Sequence, residues 1–227
     1  MTSVLVVCGL KREASLVAGY DRVAICGDGR TLQEQLVRLR NSRPRLVMSW
    51  GLCGGLDPLL SAGDLVVGSE AASEHERFLT NESVSAILSR GLADAGFRLQ
   101  INRIADAREP VLSAHDKAHL HQKLGAAAVD MESLIAGRFA QETGAPFAIL
   151  RAVADPAERG LPPLVNVAID PSGGLNIRAV AGSLIRAPAQ LLALGSLSRD
   201  SRAAFATLKR CGSLLPSLFL SLGLSDI

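Results

Sequence analysis

The chain has 227 residues, 48% of them hydrophobic and 20% charged. That supplies apolar material for one sizeable core and excludes wholesale disorder. A net charge of +2 is too small to point to nucleic acid as a partner. Aromatics are only 4% of the residues, so the core must be built mainly from Leu, Val, Ile and Ala. The four cysteines, Cys8, Cys26, Cys53 and Cys211, show neither CxxC nor metal-ligand spacing. Three of them lie in or beside apolar segments, which predicts free thiols in a reducing compartment, with no metal. The N-terminus has no basic region followed by a long apolar stretch, and no apolar run approaches the roughly 20 residues that span a bilayer. A cytoplasmic protein is expected.

In chain order, short β-branched runs alternate with helical patterns, the signature of a mostly parallel sheet with crossover helices. Strands are predicted over residues 3–8, 22–26, 45–50, 64–68, 97–105, 126–129 and 146–153. Helices are predicted over residues 80–95, 113–124 and 132–143. A further helix starts near Thr31-Leu-Gln-Glu34, which reads as a capping box, with Leu32, Leu36 and Leu39 as its apolar stripe. No repeat and no linker divides the chain. Residues 1–227 therefore read as one domain, ending in a basic and apolar helical tail from about residue 175. The expected architecture is a three-layer α/β/α fold with a central mixed sheet.

Several polar residues fall just beyond strand ends. Glu13 follows the first strand, the loop Gly51-Leu-Cys-Gly-Gly55 is expected directly after residues 45–50, Glu132 follows 126–129, and Asp155 follows 146–153. Ligands of α/β sheets bind in the crevice outside the carboxyl ends of the strands. Four separate segments are thus expected to converge on one rim.

Each motif has a plain structural explanation beside a functional one. The glycines Gly51, Gly54 and Gly55 either make a tight turn or let backbone N–H groups approach a ligand. They match neither a dinucleotide fingerprint nor a P-loop. Asp130 is explained as a helix cap, but Glu132, with Met131 wedged between the two acids, fits a carboxylate that accepts hydrogen bonds from vicinal ribose hydroxyls. Asp155 before proline is a common turn residue; at a partly apolar rim it is also a candidate general acid, because desolvation raises a carboxyl's pKa. His115 and His119 are spaced like zinc ligands, yet Asp116, Lys117 and Lys123 make that helix face polar, and a solvated surface is expected there.

In order and spacing, these segments resemble the nucleoside phosphorylase and nucleosidase superfamily. The resemblance runs from Gly9-Leu-Lys-Arg-Glu13 through Ser49-Trp-Gly-Leu-Cys-Gly-Gly-Leu56, Ala62-Gly-Asp-Leu-Val-Val67 and Val129-Asp-Met-Glu-Ser133 to Arg151-Ala-Val-Ala-Asp155. Within the superfamily, the stretch Asp155-Pro-Ala-Glu-Arg-Gly-Leu-Pro-Pro163 and a tail with Ile185-Arg-Ala-Pro-Ala-Gln-Leu-Leu192 resemble the hopanoid-associated phosphorylase group. That resemblance implies release of adenine from adenosylhopane, a lipid-linked adenosine. It implies Asp155 as the acid that assists base departure, Glu13 as the carboxylate that activates water, Glu132 as the ribose-hydroxyl ligand and Met131 as packing against the sugar. Gly51, Cys53 and Gly54 would lie near the ribose and nucleophile, Pro110 and Val111 near the base, and Arg12 is a candidate phosphate ligand. No cofactor is implied beyond phosphate as a co-substrate, and relatives are commonly homo-oligomeric.

Two departures matter. Ala154 stands where many relatives have Ser before the acid, which takes away a supporting hydrogen bond. Ser49 and Leu52 stand where phosphorylases usually carry an Arg and a Ser, so the phosphate site looks incomplete and water is the favoured nucleophile. The expected activity is cleavage of the N-glycosidic bond of a purine nucleoside or nucleoside adduct. The alternatives are a methylthioadenosine/S-adenosylhomocysteine nucleosidase and a non-catalytic nucleoside-binding module. In the tail, Arg199, Arg202 and Lys209 at helical spacing, followed by the apolar residues 212–224, admit two readings: ordinary core, or peripheral contact with an anionic inner leaflet.

Overall fold

A computed structural model of the chain describes residues 4–17, 19, 22–174, 176 and 190–223. Its strands are β1 (Val4–Cys8), β2 (Arg22–Cys26), β3 (Leu46–Gly55), β4 (Leu65–Ala72), β5 (Arg77–Leu79), β6 (Leu99–Asp106), β7 (Ala128–Asp130) and β8 (Phe147–Asp155). Its helices are α1 (Lys11–Ala14), α2 (Gly29–Leu39), α3 (Glu82–Asp94), α4 (Ala114–Leu124), α5 (Ser133–Thr143), α6 (Val165–Ala168) and α7 (Gln190–Ser221).

The strands form the expected mixed sheet, and it closes on itself. β1 pairs in parallel with both β2 and β3, and β3 pairs in parallel with β8. β3 also pairs antiparallel with β7, which continues through β6 to β4. β4 then returns antiparallel to β8, so β3, β7, β6, β4 and β8 make a ring from which β2–β1 and β5 extend. Strand alternation divides the core between two helical layers. Val4, Val6 and Cys8 face a cluster completed by α3 and α7, whereas Leu5 and Val7 face one completed by α2 and α5. All nine residues of β8 are buried because strands flank it on both sides and helices cover it.

Several expectations are corrected. The glycine segment is no loop: β3 runs through to Gly55, because Gly51 to Gly54 stay paired with β8 and Gly54 and Gly55 pair with β7. The helix near Thr31 starts earlier, at Gly29, with Asp28 as its cap; the Asp28 carboxylate accepts from the Thr31 N–H at 2.8 Å, so Thr31 is inside the first turn. The short strand β5 has no signature in the sequence and exists because the edge of β4 offers it a partner. All four cysteines are free, and Cys8, Cys53 and Cys211 are buried.

Of the tail, residues 177–189 lie outside the described residues. α7 is a single long helix whose Ala204, Leu208, Cys211, Leu215 and Phe219 are all fully buried against the sheet and α3. That spacing of four, three, four and four residues is one helical stripe. The apolar segment after Gly212 is thus core where its stripe meets the sheet, with Leu220 exposed on the far side. Among the described residues, no helix is long and apolar enough to cross a membrane.

Candidate active site

Glu13 sits on the one-turn helix α1, directly after β1. Its side chain folds back onto the chain that leads into it. Oε2 accepts from the Gly9 and Leu10 N–H groups at 3.0 and 2.8 Å, and Oε1 accepts from the Leu52 N–H at 2.8 Å. Only 2% of Glu13 is exposed. Burial pushes its carboxyl above the ordinary range, against the nearby Arg151 guanidinium and the three backbone donors.

Arg151, in the middle of β8 and fully buried, is the hub of the site. Nε lies 2.6 Å from Asp130 Oδ2, and Nη1 lies 3.1 Å from Glu132 Oε2. Nη2 donates to Ser49 Oγ at 2.5 Å, and Nη1 donates to the Leu52 carbonyl at 3.2 Å. One guanidinium therefore pairs with two carboxyls, Asp130 and Glu132, and its charge also acts on a third, Glu13. A single positive charge offsets burial only in part at Glu13 and Glu132, and both carboxyls are pushed above their ordinary value. Burial raises Glu132 well above the ordinary carboxylate range, Arg151 opposes the rise, and Asp130 and Glu13 add to it.

The two acids of the Asp-Met-Glu segment divide their tasks. Asp130 accepts from the Ser133 N–H at 3.1 Å and from the Ser133 hydroxyl, which is the capping role expected for it. Glu132, although at the start of α5, makes no capping hydrogen bond and turns to Arg151. Its Oε1 occupies the space a Cβ on Gly9 would need, 2.6 Å away. Met131 beside it is half-buried.

The expected convergence is found, but not on one row of strand ends. β1, β3 and β8 are parallel, whereas β7 is antiparallel to β3. The chain leaving β7 therefore turns back along β3 to the level of Gly51 and its register partner Arg151, and this is how Glu132 reaches Arg151 and comes within range of the Glu13 charge.

Asp155 ends β8. The pairs Cys53–Val153 and Gly54–Asp155 are adjacent, so Ala154 is an extra residue of β8, a bulge of the kind that re-aims side chains beside sites. Burial pushes the Asp155 carboxyl up to about 6, even though Lys117 draws it down; Asp200 of α7 raises it further. The Lys117 ammonium donates to Asp155 Oδ2 at 2.5 Å. Lys117 is fully buried, which corrects its assignment to a solvated face of α4; His115 and His119 on that helix are exposed as expected. Composition alone did not reveal Lys117. The available signal was that α4 lacks a strong apolar stripe.

Other expected residues are placed as follows. Gly51 and Gly54 clear room on β3 for the two carboxyls, since a Cβ at 54 would lie 3.2 Å from Asp155 Oδ2. Cys53 points into the core shared with α2 and α5, where burial pushes its thiol well above its ordinary value. Arg12 is not brought to the cluster: its guanidinium lies 4.0 Å from the ring centroid of Phe205 on α7. Pro110 and Val111 are half-buried in the loop after β6, which is tied to the chain beyond Asp155 by the Leu161 N–H donating to Leu112 O at 2.8 Å.

The ringed mixed sheet between two helical layers carries two buried carboxyls, Glu13 beside Gly51 and Asp155 beside Gly54, and a buried guanidinium, Arg151, on the neighbouring strand. The chain belongs to the phosphorylase superfamily, whose family model matches residues 4–170. Among solved structures, it is similar to a 5'-methylthioadenosine/S-adenosylhomocysteine nucleosidase from Neisseria meningitidis, with 17% identity, 96% of this chain and 100% of that chain covered, and a TM-score of 0.67. It is also similar to the futalosine hydrolase of Helicobacter pylori, with 16% identity, 87% and 97% covered, and a TM-score of 0.60. At these identities the likeness is one of fold.

Proposed function

We propose that this protein is a nucleosidase that releases the base of a purine nucleoside or nucleoside adduct, with water as the nucleophile. The observation that carries this reading is the pair of buried carboxyls, Glu13 and Asp155, whose space along β3 is cleared by Gly51 and Gly54. Three residues of strand separate those glycines by about 10 Å. Glycosidic cleavage needs that division of labour, with one group assisting the leaving base and another steering the nucleophile to an oxocarbenium-like centre.

In the proposed reaction the bond between the sugar's anomeric carbon and the base breaks, and its electron pair leaves with the base. Asp155 gives its proton to a ring nitrogen of the base. A water then attacks the anomeric carbon and gives its proton to Glu13. Two carboxylate oxygens offer about four acceptor sites. Backbone donors fill three of those on Glu13, two at Oε2 and one at Oε1. The remaining site, on Oε1, is free to hold the water, and burial makes the carboxylate a stronger base. Glu132 accepts from the ribose hydroxyls, which replace part of its pairing with Arg151, and Met131 packs on the sugar.

The substrate is proposed to be a lipid-linked adenosine such as adenosylhopane, met in the cytoplasm at the inner face of the membrane. The exposed Arg199, Arg202 and Lys209 on α7 support that location through attraction to anionic lipid. Methylthioadenosine, S-adenosylhomocysteine and futalosine are the competing substrates. The test incubates each of these, and inosine, with and without phosphate, and measures free base. Adenine release from adenosylhopane in phosphate-free buffer is expected. Strict phosphate dependence would overturn water as the nucleophile, and no base release from any nucleoside would overturn the activity.

A further inference from the structure

Lys117 is the single buried residue of α4, on the face where Leu120 and Leu124 pack half-buried against the small cluster of Leu56, Ala105, Ala126 and Val129. An ammonium stripped of water is costly to bury unless acceptors surround it, and an apolar side chain of similar length would fill the same space at less cost. The acceptors here all belong to one segment. Besides Asp155 Oδ2 at 2.5 Å, Nζ donates to the backbone carbonyls of Asp155 at 3.3 Å, Pro156 at 3.0 Å and Arg159 at 3.0 Å. The turn that follows β8 is thus wrapped around one cation. Ala154, the residue before the acid, has no hydrogen-bonding side chain to share the task.

Resting on the nucleosidase reading above, we propose that Lys117 is the positioning residue of the general acid: it holds Asp155 and its turn in place and favours the carboxylate that remains once the proton has passed to the departing base. Before the step Asp155 is neutral; after it, the proton is on the base and the new negative charge faces a fixed ammonium. Among the described residues, the other charged or titratable groups whose charge acts on or feels Asp155 are Asp200 of α7 and, on β3, the buried thiol of Cys53. Asp200 is itself engaged by Arg159 at 3.0 Å, within the same turn. Lys117 is therefore the cation that contacts the acid directly.

The test uses Lys117→Met and Lys117→Gln in the full chain. A fixed opposite charge at contact distance lowers a carboxyl by about 1–3 pH units. Removing it should move the Asp155 titration, followed by 13C NMR of labelled aspartate with Asp155→Asn for assignment, upward by about that much. The upper limb of the pH–rate profile for base release should move the same way, because the proton is retained to higher pH. The rate on the plateau should fall at least about 10-fold, yet by less than the roughly 10²–10⁴-fold expected on losing the acid itself. An Asp155 titration and pH profile both unmoved in a folded variant would overturn the proposal. If neither variant folds, the reciprocal measurement decides: in Asp155→Asn, which keeps the side chain's shape, the 15N resonance of Lys117 Nζ should shift, and an unaltered resonance overturns the pairing. A protein that releases no base at all overturns the reaction, while the two NMR measurements still report on the pair.

Discussion

Gly51 and Glu13 are sterically exclusive partners: a Cβ at position 51 would lie 2.6 Å from Glu13 Cδ and 2.7 Å from both of its carboxylate oxygens. Position 51 also has φ of +147, a conformation that glycine adopts readily and other residues rarely do. Gly51→Ala should therefore displace the Glu13 carboxylate and strain the strand together. A loss of stability of about 1–3 kcal/mol is expected, read by denaturant unfolding. Base release should fall to the level of Glu13→Gln, and a Gly51→Ala enzyme with full activity would show that the carboxylate can work from elsewhere.

Asp155→Asn should fold and retain nucleoside binding, since the amide keeps the shape of the carboxyl. It should lose about 10²–10⁴-fold in the rate of base release, because an amide cannot deliver the proton. Isothermal binding of a purine nucleoside beside a turnover assay separates the two effects. Unchanged turnover would remove Asp155 from the reaction.

The raised carboxyls also predict how stability depends on pH. Glu132 is displaced upward from its ordinary value of 4.5, as is Glu13, and Asp155 rises from 3.8 to about 6. Across that range the folded state holds protons that the unfolded chain has already released, so this contribution is full below about pH 4 and is lost as pH rises through the folded values. Thermal midpoints should decline between about pH 5 and about pH 8, and Glu132→Gln should flatten the decline by removing one titrating group. A midpoint that rises over this interval in the wild type would contradict the balance of charge around Arg151.

The last turns of α7 are expected to behave as core. Phe219 and Leu215 are fully buried against the sheet and α3. Phe219→Ala should cost about 3–5 kcal/mol in denaturant unfolding, the usual range for emptying a buried aromatic site. Lys209→Ala on the exposed side should stay within about 0.5 kcal/mol of wild type. Equal effects from the two would mean that the helix does not depend on its inward stripe.

Local chemistry made much of this protein legible from its residues. β-branched runs located seven of the eight strands, and 3.6-residue spacing located the larger helices, because each pattern reports which side of an element avoids water. The carboxyls Glu13, Glu132 and Asp155 stood out because each follows an apolar strand, where an acid needs a reason to be. What remained hidden depends on pairing between distant segments. That Gly51–Gly55 stays in the sheet was decided by two neighbouring strands, and that β7 runs against β3 was decided by ring closure; neither leaves a mark on local sequence. Lys117 and Arg151 read as ordinary surface and strand residues until their partners are known, since a buried cation is recognisable only by the acceptors that surround it. Those acceptors lie 38 residues or more along the chain for Lys117, and only tertiary structure brings them together.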